Sequence, residues 1–99
     1  MTTVAKTSEI AVGQFKPVQV QGKHLLVCRT QSGFYVIDDT CTHDDGPLAD
    51  GWLEGNEIEC PRHGARFDVT TGKVLCLPAA MPIHSYPVKL EGDDITIRL

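Results

Sequence analysis

Short apolar-rich segments alternate along the chain with turn signals, and no stretch keeps a 3.6-residue apolar period over ten or more residues. That pattern predicts many short strands rather than helices. QFKPVQV, a turn at Gln21-Gly22 and KHLLVCRT predict one hairpin. Ser32-Gly33 turns the chain into GFYVID, a strand rich in aromatic and β-branched residues. NEIEC predicts a short strand that runs into a cysteine. ARFDV, TTG and KVL predict another hairpin, and SYPVKLE, GDD and ITIRL the last, with Gly92 at its turn. SEIAVGQF has room for a single helical turn. Pro47, Pro61, Pro78 and Pro82 fall in loops, whereas Pro17 and Pro87 lie inside strand segments. Proline has no N–H for a ladder, so those two mark edges or bulges. Together these elements predict an all-β domain, a sandwich or a small barrel. Residues from about 39 to 75 read as a loop-rich insertion between strands of the main sheets.

With 99 residues the chain is one domain, 1–99, without repeat or linker. A domain this small buries only roughly two thirds of the surface its unfolded chain exposes, so a bound metal group would help hold it together. A net charge of −4 and no visible basic patch exclude nucleic acid as a partner. Asp38, Asp39, Asp44, Asp45 and Asp50 form an acidic cluster. They read as a solvated loop face, with steering toward a basic protein partner as the sharper alternative. The N-terminus lacks an apolar run of signal-peptide length, and no run reaches the ~18 residues of a membrane span. The expectation is a cytoplasmic protein whose four cysteines are reduced or bind metal.

Two of those cysteines carry the chemistry. Cys41-x-His43 and Cys60-x-x-His63 stand sixteen residues apart, each beside Gly and Pro. Thiolate and imidazole are good ligands for zinc and for iron. Zinc fingers commonly group two cysteines and then two histidines, whereas here each loop supplies one of each. Two facing loops would gather sulfur on one side and nitrogen on the other. That is the ligand set of a [2Fe–2S] cluster in which two His replace two Cys on one iron.

At CTH, CPRHG and the flanking GPLADGWLEG, ARFD and TGKV, the sequence resembles the Rieske family, and the likeness extends over most of the chain. The resemblance implies a Rieske-type antiparallel β-sandwich with a small loop-rich cluster-binding subdomain. It implies that Cys41 and Cys60 hold one iron, and that His43 and His63 hold the other through Nδ1 with their Nε2 edges near solvent. Freestanding domains of this size are similar to the ferredoxin component of bacterial ring-hydroxylating dioxygenase systems. The implied role is one-electron transfer from an NAD(P)H-dependent flavin reductase to a terminal oxygenase, by a monomer that is not itself an enzyme. A small subunit of another redox system, similar to those of nitrite reductases or of iron-sulfur assembly, is the first alternative. A structural zinc module is the second.

High-potential members of the family carry two further cysteines that bridge the loops, and a serine and a tyrosine that donate to sulfur. The matching positions here are Gly46, Arg62, Ala65 and Phe67. No bridge and neither hydroxyl is available, so the resemblance implies a potential near the family's lower end, about −150 mV. Gly46 and Gly64 are expected to permit tight loops. Cys28 and Cys76 lie in apolar stretches and read as buried small hydrophobes. His24 reads as a surface residue, and His84 is not assigned as a ligand. Trp52 has three readings: cover for the cluster, part of a partner surface, or cover for the insertion's core. Leu77-Pro78-Ala79-Ala80 resembles the family's third, cluster-covering loop. Arg62 and Arg66 flank the second pair, with Asp44 and Asp45 or acidic partners as counter-charges.

Overall fold

A computed structural model describes residues 1–41, 46–61, 64–76 and 81–99. Eleven strands are present among them: β1 (Thr2–Lys6), β2 (Phe15–Val20), β3 (Lys23–Thr30), β4 (Gly33–Asp38), β5 (Trp52–Glu54), β6 (Glu57–Glu59), β7 (Arg66–Asp68), β8 (Val74–Cys76), β9 (Ser85–Tyr86), β10 (Val88–Glu91) and β11 (Asp94–Ile97). They form three antiparallel sheets in the orders β1-β11-β10, β2-β3-β4-β9 and β5-β6-β7-β8.

The second sheet is the middle layer, and the sequence of β3 shows why. Side chains alternate across a strand, so consecutive residues of Leu25-Leu26-Val27-Cys28 face opposite sides. Leu25 and Val27 pack with Val4, Ile95 and Ile97 of the first sheet. Leu26 and Cys28 pack with Ile58 and Phe67 of the third and with Val69 just after it. All four are fully buried, which is why this strand is an unbroken apolar run rather than an alternating one. Val36 and Ile37 of β4 divide between the two cores in the same way.

The β2–β3 hairpin closes through Gln21 and Gly22, both at positive φ (51° and 80°), as a two-residue turn matched to strand twist requires. Pro17 lies on β2, an edge strand, as expected. Pro87 ends one sheet and opens another: Ser85–Tyr86 pair with β4, and Val88 onward pairs with β11. SYPVKLE is therefore two strands in two sheets, not the single strand its pattern predicts. Tyr86 fastens this crossing by donating its hydroxyl to Asp38 at 2.6 Å. Burial and then the Asp38 carboxylate push its pKa up to about 12. The helical turn expected within SEIAVGQF is a 3-10 turn at Thr7–Glu9. The insertion is less loop-rich than expected, since β5 to β8 build a sheet of their own between β4 and β9. Among the described residues no helix is long and apolar enough to cross a membrane.

Candidate metal centre

Cys41 follows β4 and Cys60 follows β6, and both are fully buried. Their loops close in the same manner. The Cys41 N–H donates to the Gly46 carbonyl at 2.8 Å, and the Cys60 N–H donates to the Ala65 carbonyl at 2.8 Å, each five residues ahead. The second loop is drawn tighter by Gly64, whose N–H donates back to the Cys60 carbonyl at 3.0 Å and whose φ of +76° favours glycine. The first loop is held from outside. Asp39 accepts the Ala49 N–H at 2.9 Å, while its own N–H donates to the His24 carbonyl at 2.9 Å.

The two cysteines share one apolar core with Leu48, Ala65 and Phe67. Two buried thiols in one apolar core, each from a cysteine whose N–H closes a loop onto the residue five ahead, suit a soft metal centre. His43 and His63 lie outside the described residues, as do Asp44, Asp45, Arg62 and Leu77–Ala80.

Cys28 lies in the same core but has a different character. Burial, with the Asp39 carboxylate adding to it, pushes its thiol up to about 12, so it stays protonated at neutral pH. That agrees with a packing role. Cys76 corrects the expectation of burial: it is exposed, and its Sγ donates to the Gly64 carbonyl at 3.4 Å. The cause is register. Arg66 pairs with Cys76, which sets Cys76 on the outer face of the third sheet. The inner face is built from Leu53, Ile58, Phe67 and Val74. Trp52 stands on the outer face opposite Glu59 and is 48% exposed, so it does not cover the insertion's core. His24 is exposed, as expected, and so is His84, whose ring lies 4.4 Å from that of Tyr86.

Among the described residues, Arg66 finds counter-charges on its own sheet, while Asp44 and Asp45 lie outside them. Its guanidinium donates to Glu59 at 2.6 Å and to Glu57 at 3.4 Å. Those two acidic residues carried no signal in the sequence, because their pairing with Arg66 depends on a register that the sequence does not display.

The Rieske [2Fe-2S] domain model matches residues 1–87. The chain belongs to the Rieske [2Fe–2S] family. A curated relative, the ferredoxin component of the naphthalene 1,2-dioxygenase system of Pseudomonas aeruginosa, is 46% identical over 92% of this chain and 88% of its own. The solved ferredoxin of carbazole 1,9a-dioxygenase from Nocardioides aromaticivorans IC177 superposes with a TM-score of 0.91 at 33% identity, over 97% of this chain and 94% of that one. A complex of reduced oxygenase and oxidized ferredoxin in carbazole 1,9a-dioxygenase contains a chain matching at TM-score 0.90 and 33% identity, over 97% and 90%. This Rieske protein carries one [2Fe–2S] cluster and acts as an electron carrier, a ferredoxin rather than a catalytic subunit.

Proposed function

We propose that this Rieske ferredoxin belongs to an aromatic-ring dioxygenase system. It takes single electrons from an NAD(P)H-dependent flavin reductase and gives them to a terminal oxygenase, as a cytoplasmic monomer. Its cluster is held by Cys41, His43, Cys60 and His63, within a binding part spanning about residues 39–75 of a single domain. The observation that carries this reading is the 46% identity, over 92% of the chain, to a dioxygenase ferredoxin component. The buried Cys41 and Cys60 in their alike loops support the ligand assignment.

The cluster, when bound, supplies reversible one-electron chemistry in the roughly −150 to +300 mV range of Rieske centres. The chain's residues set where in that range it falls. Cys41 and Cys60 offer thiolates, and Leu48, Ala65 and Phe67 exclude water from their side. Ala65 and Phe67 carry no hydroxyl to stabilise added negative charge, which favours the low end, about −150 mV. Phe67→Tyr should raise the midpoint potential by about 20–65 mV. That range is one hydrogen bond worth about 0.5–1.5 kcal/mol, converted at about 59 mV per tenfold for one electron. Protein-film voltammetry reads the shift, and an unchanged or lower potential would refute the donor argument.

The function is tested by reconstitution. The holoprotein is added to the flavin reductase and terminal oxygenase of a naphthalene dioxygenase system with NADH and substrate. Dihydroxylated product should form only when the holoprotein is present and should rise with its concentration. Reduction of the ferredoxin without product would point to a different terminal acceptor. No reduction by the flavin reductase would reject the proposed electron source.

A further inference from the structure

The outer face of the third sheet carries Glu54, Glu57, Glu59 and Asp68, against one basic residue in its strands, Arg66. That one cation is placed at a particular point. Glu59 and Arg66 are the last ladder pair before the chain leaves the β6–β7 hairpin for the 60–65 loop. The next pair inward is Cys60 and Ala65, joined by the N–H···O bond of 2.8 Å. The Arg66–Glu59 contact of 2.6 Å thus spans the neck of the loop that supplies Cys60 and His63. The second arm of the fork reaches Glu57 at 3.4 Å, on the same face two residues back. The Glu59 side chain is only 18% exposed and that of Arg66 33%, so water screens this pair less than it screens a free surface pair.

Without Arg66, Glu57 and Glu59 would stand uncompensated two residues apart on one face, with Glu59 next to Cys60. Glu57 also lies opposite Glu54 and Asp68, and like charges directly opposite one another destabilise a sheet. The hairpin end would fray, and fraying is a local opening that need not unfold the core.

We propose that Arg66 is a positioning residue for the second ligand loop: by bridging Glu59 and Glu57 it keeps the neck closed and slows release of Cys60 and His63 from the metal. This rests on the proposed assignment of those two residues as ligands. Lysine cannot replace the fork, because a single ammonium offers a point charge and not two donors fixed in one plane.

The test uses purified holoprotein and an iron chelator, and follows bleaching of the visible absorbance. Arg66→Met and Glu59→Gln should each speed bleaching by about threefold to tenfold. The double variant should be no faster than either single one, since both remove the same contact. Arg66→Lys should fall between wild type and Arg66→Met. Glu57→Gln should change the rate by less than about twofold, given its longer and more exposed contact. Lys6→Met breaks the ion pair with Asp94 on the far sheet and should leave the rate unchanged. Broader EPR lines in Arg66→Met would report a less defined ligand geometry, and unchanged lines would count against the proposal. If Arg66→Met lowers the urea midpoint while bleaching at the wild-type rate, the contact is only part of the fold and the proposal fails. A wild-type protein with no chelatable iron would instead reject the ligand assignment, and this inference with it.

Discussion

Cys60→Ser should yield a protein that is nearly colourless and retains less than about a tenth of its iron. Serine occupies almost the same volume, so the core it leaves is close to the native one. The oxygen, however, is a far weaker acid than a thiol and a hard ligand, and iron in these clusters binds through soft thiolate. Burial alone does not mark Cys60, because Cys28 is buried in the same core and equally inaccessible. The difference is in the backbone: Cys60 stands at the mouth of a closed loop, and Cys28 lies mid-strand in β3 opposite Tyr35. Cys28→Ser should therefore keep its colour and lose only about 1–3 kcal/mol, the cost of placing a hydroxyl where a thiol packed. Cys76→Ser, at an exposed site, should change neither. Iron content and visible absorbance of the three variants decide the matter. A red Cys60→Ser protein beside a bleached Cys28→Ser protein would overturn the ligand assignment.

The same contrast explains which parts of the molecule were legible in the sequence. Hairpins with their own turn chemistry could be read directly: Gln21-Gly22 marked β2–β3, and Gly92 marked β10–β11. The strand β1 could not be read. TTVAK buries only Val4 and Ala5, and its partner β11 lies at the other end of the chain. Its stability comes from packing rather than from a local pattern. The strand β5 escaped for a related reason, being three residues long and held by pairing with β6. The candidate centre stood out in the sequence at its proposed ligands, where Cys and His at fixed spacing are unusual residues in an unusual order. It was not legible in its supports. Glu59, Arg66 and Cys76 share a row across the third sheet only because of register, and a bulge at Arg66–Phe67 sets that register for β8. Cys76 departs from its expected burial for this reason: LCLP is apolar in sequence, yet Leu75 and Cys76 face solvent.

The support with the largest expected effect on substitution is a glycine. Gly51 ends the turn at Leu48–Asp50, donating its N–H to the Leu48 carbonyl at 2.9 Å, and leads into β5. Its φ of −93° is open to any residue, so backbone freedom is not what it provides. It provides closeness. A Cβ at this position would run into the carbonyl oxygen of Glu59 and crowd the ring of Pro61, the residues on either side of Cys60. Those are backbone and ring atoms that cannot rotate aside, so alanine must push β5 and the Cys60 loop apart. Gly51→Ala should cost about 3 kcal/mol, at the upper end of overpacking penalties. Cluster retention should fall with it, because the displaced segment carries Cys60. Gly92→Ala is the matching control. Its φ of +60° strains any side chain, yet nothing lies within 4 Å of the added carbon. That should cost only about 1 kcal/mol and leave the cluster untouched, since Gly92 closes the β10–β11 hairpin of the opposite sheet. Urea midpoints and iron content measured on both variants separate the two causes. If Gly51→Ala bound iron as fully as Gly92→Ala, the close approach at Glu59 would not be what seats the Cys60 loop.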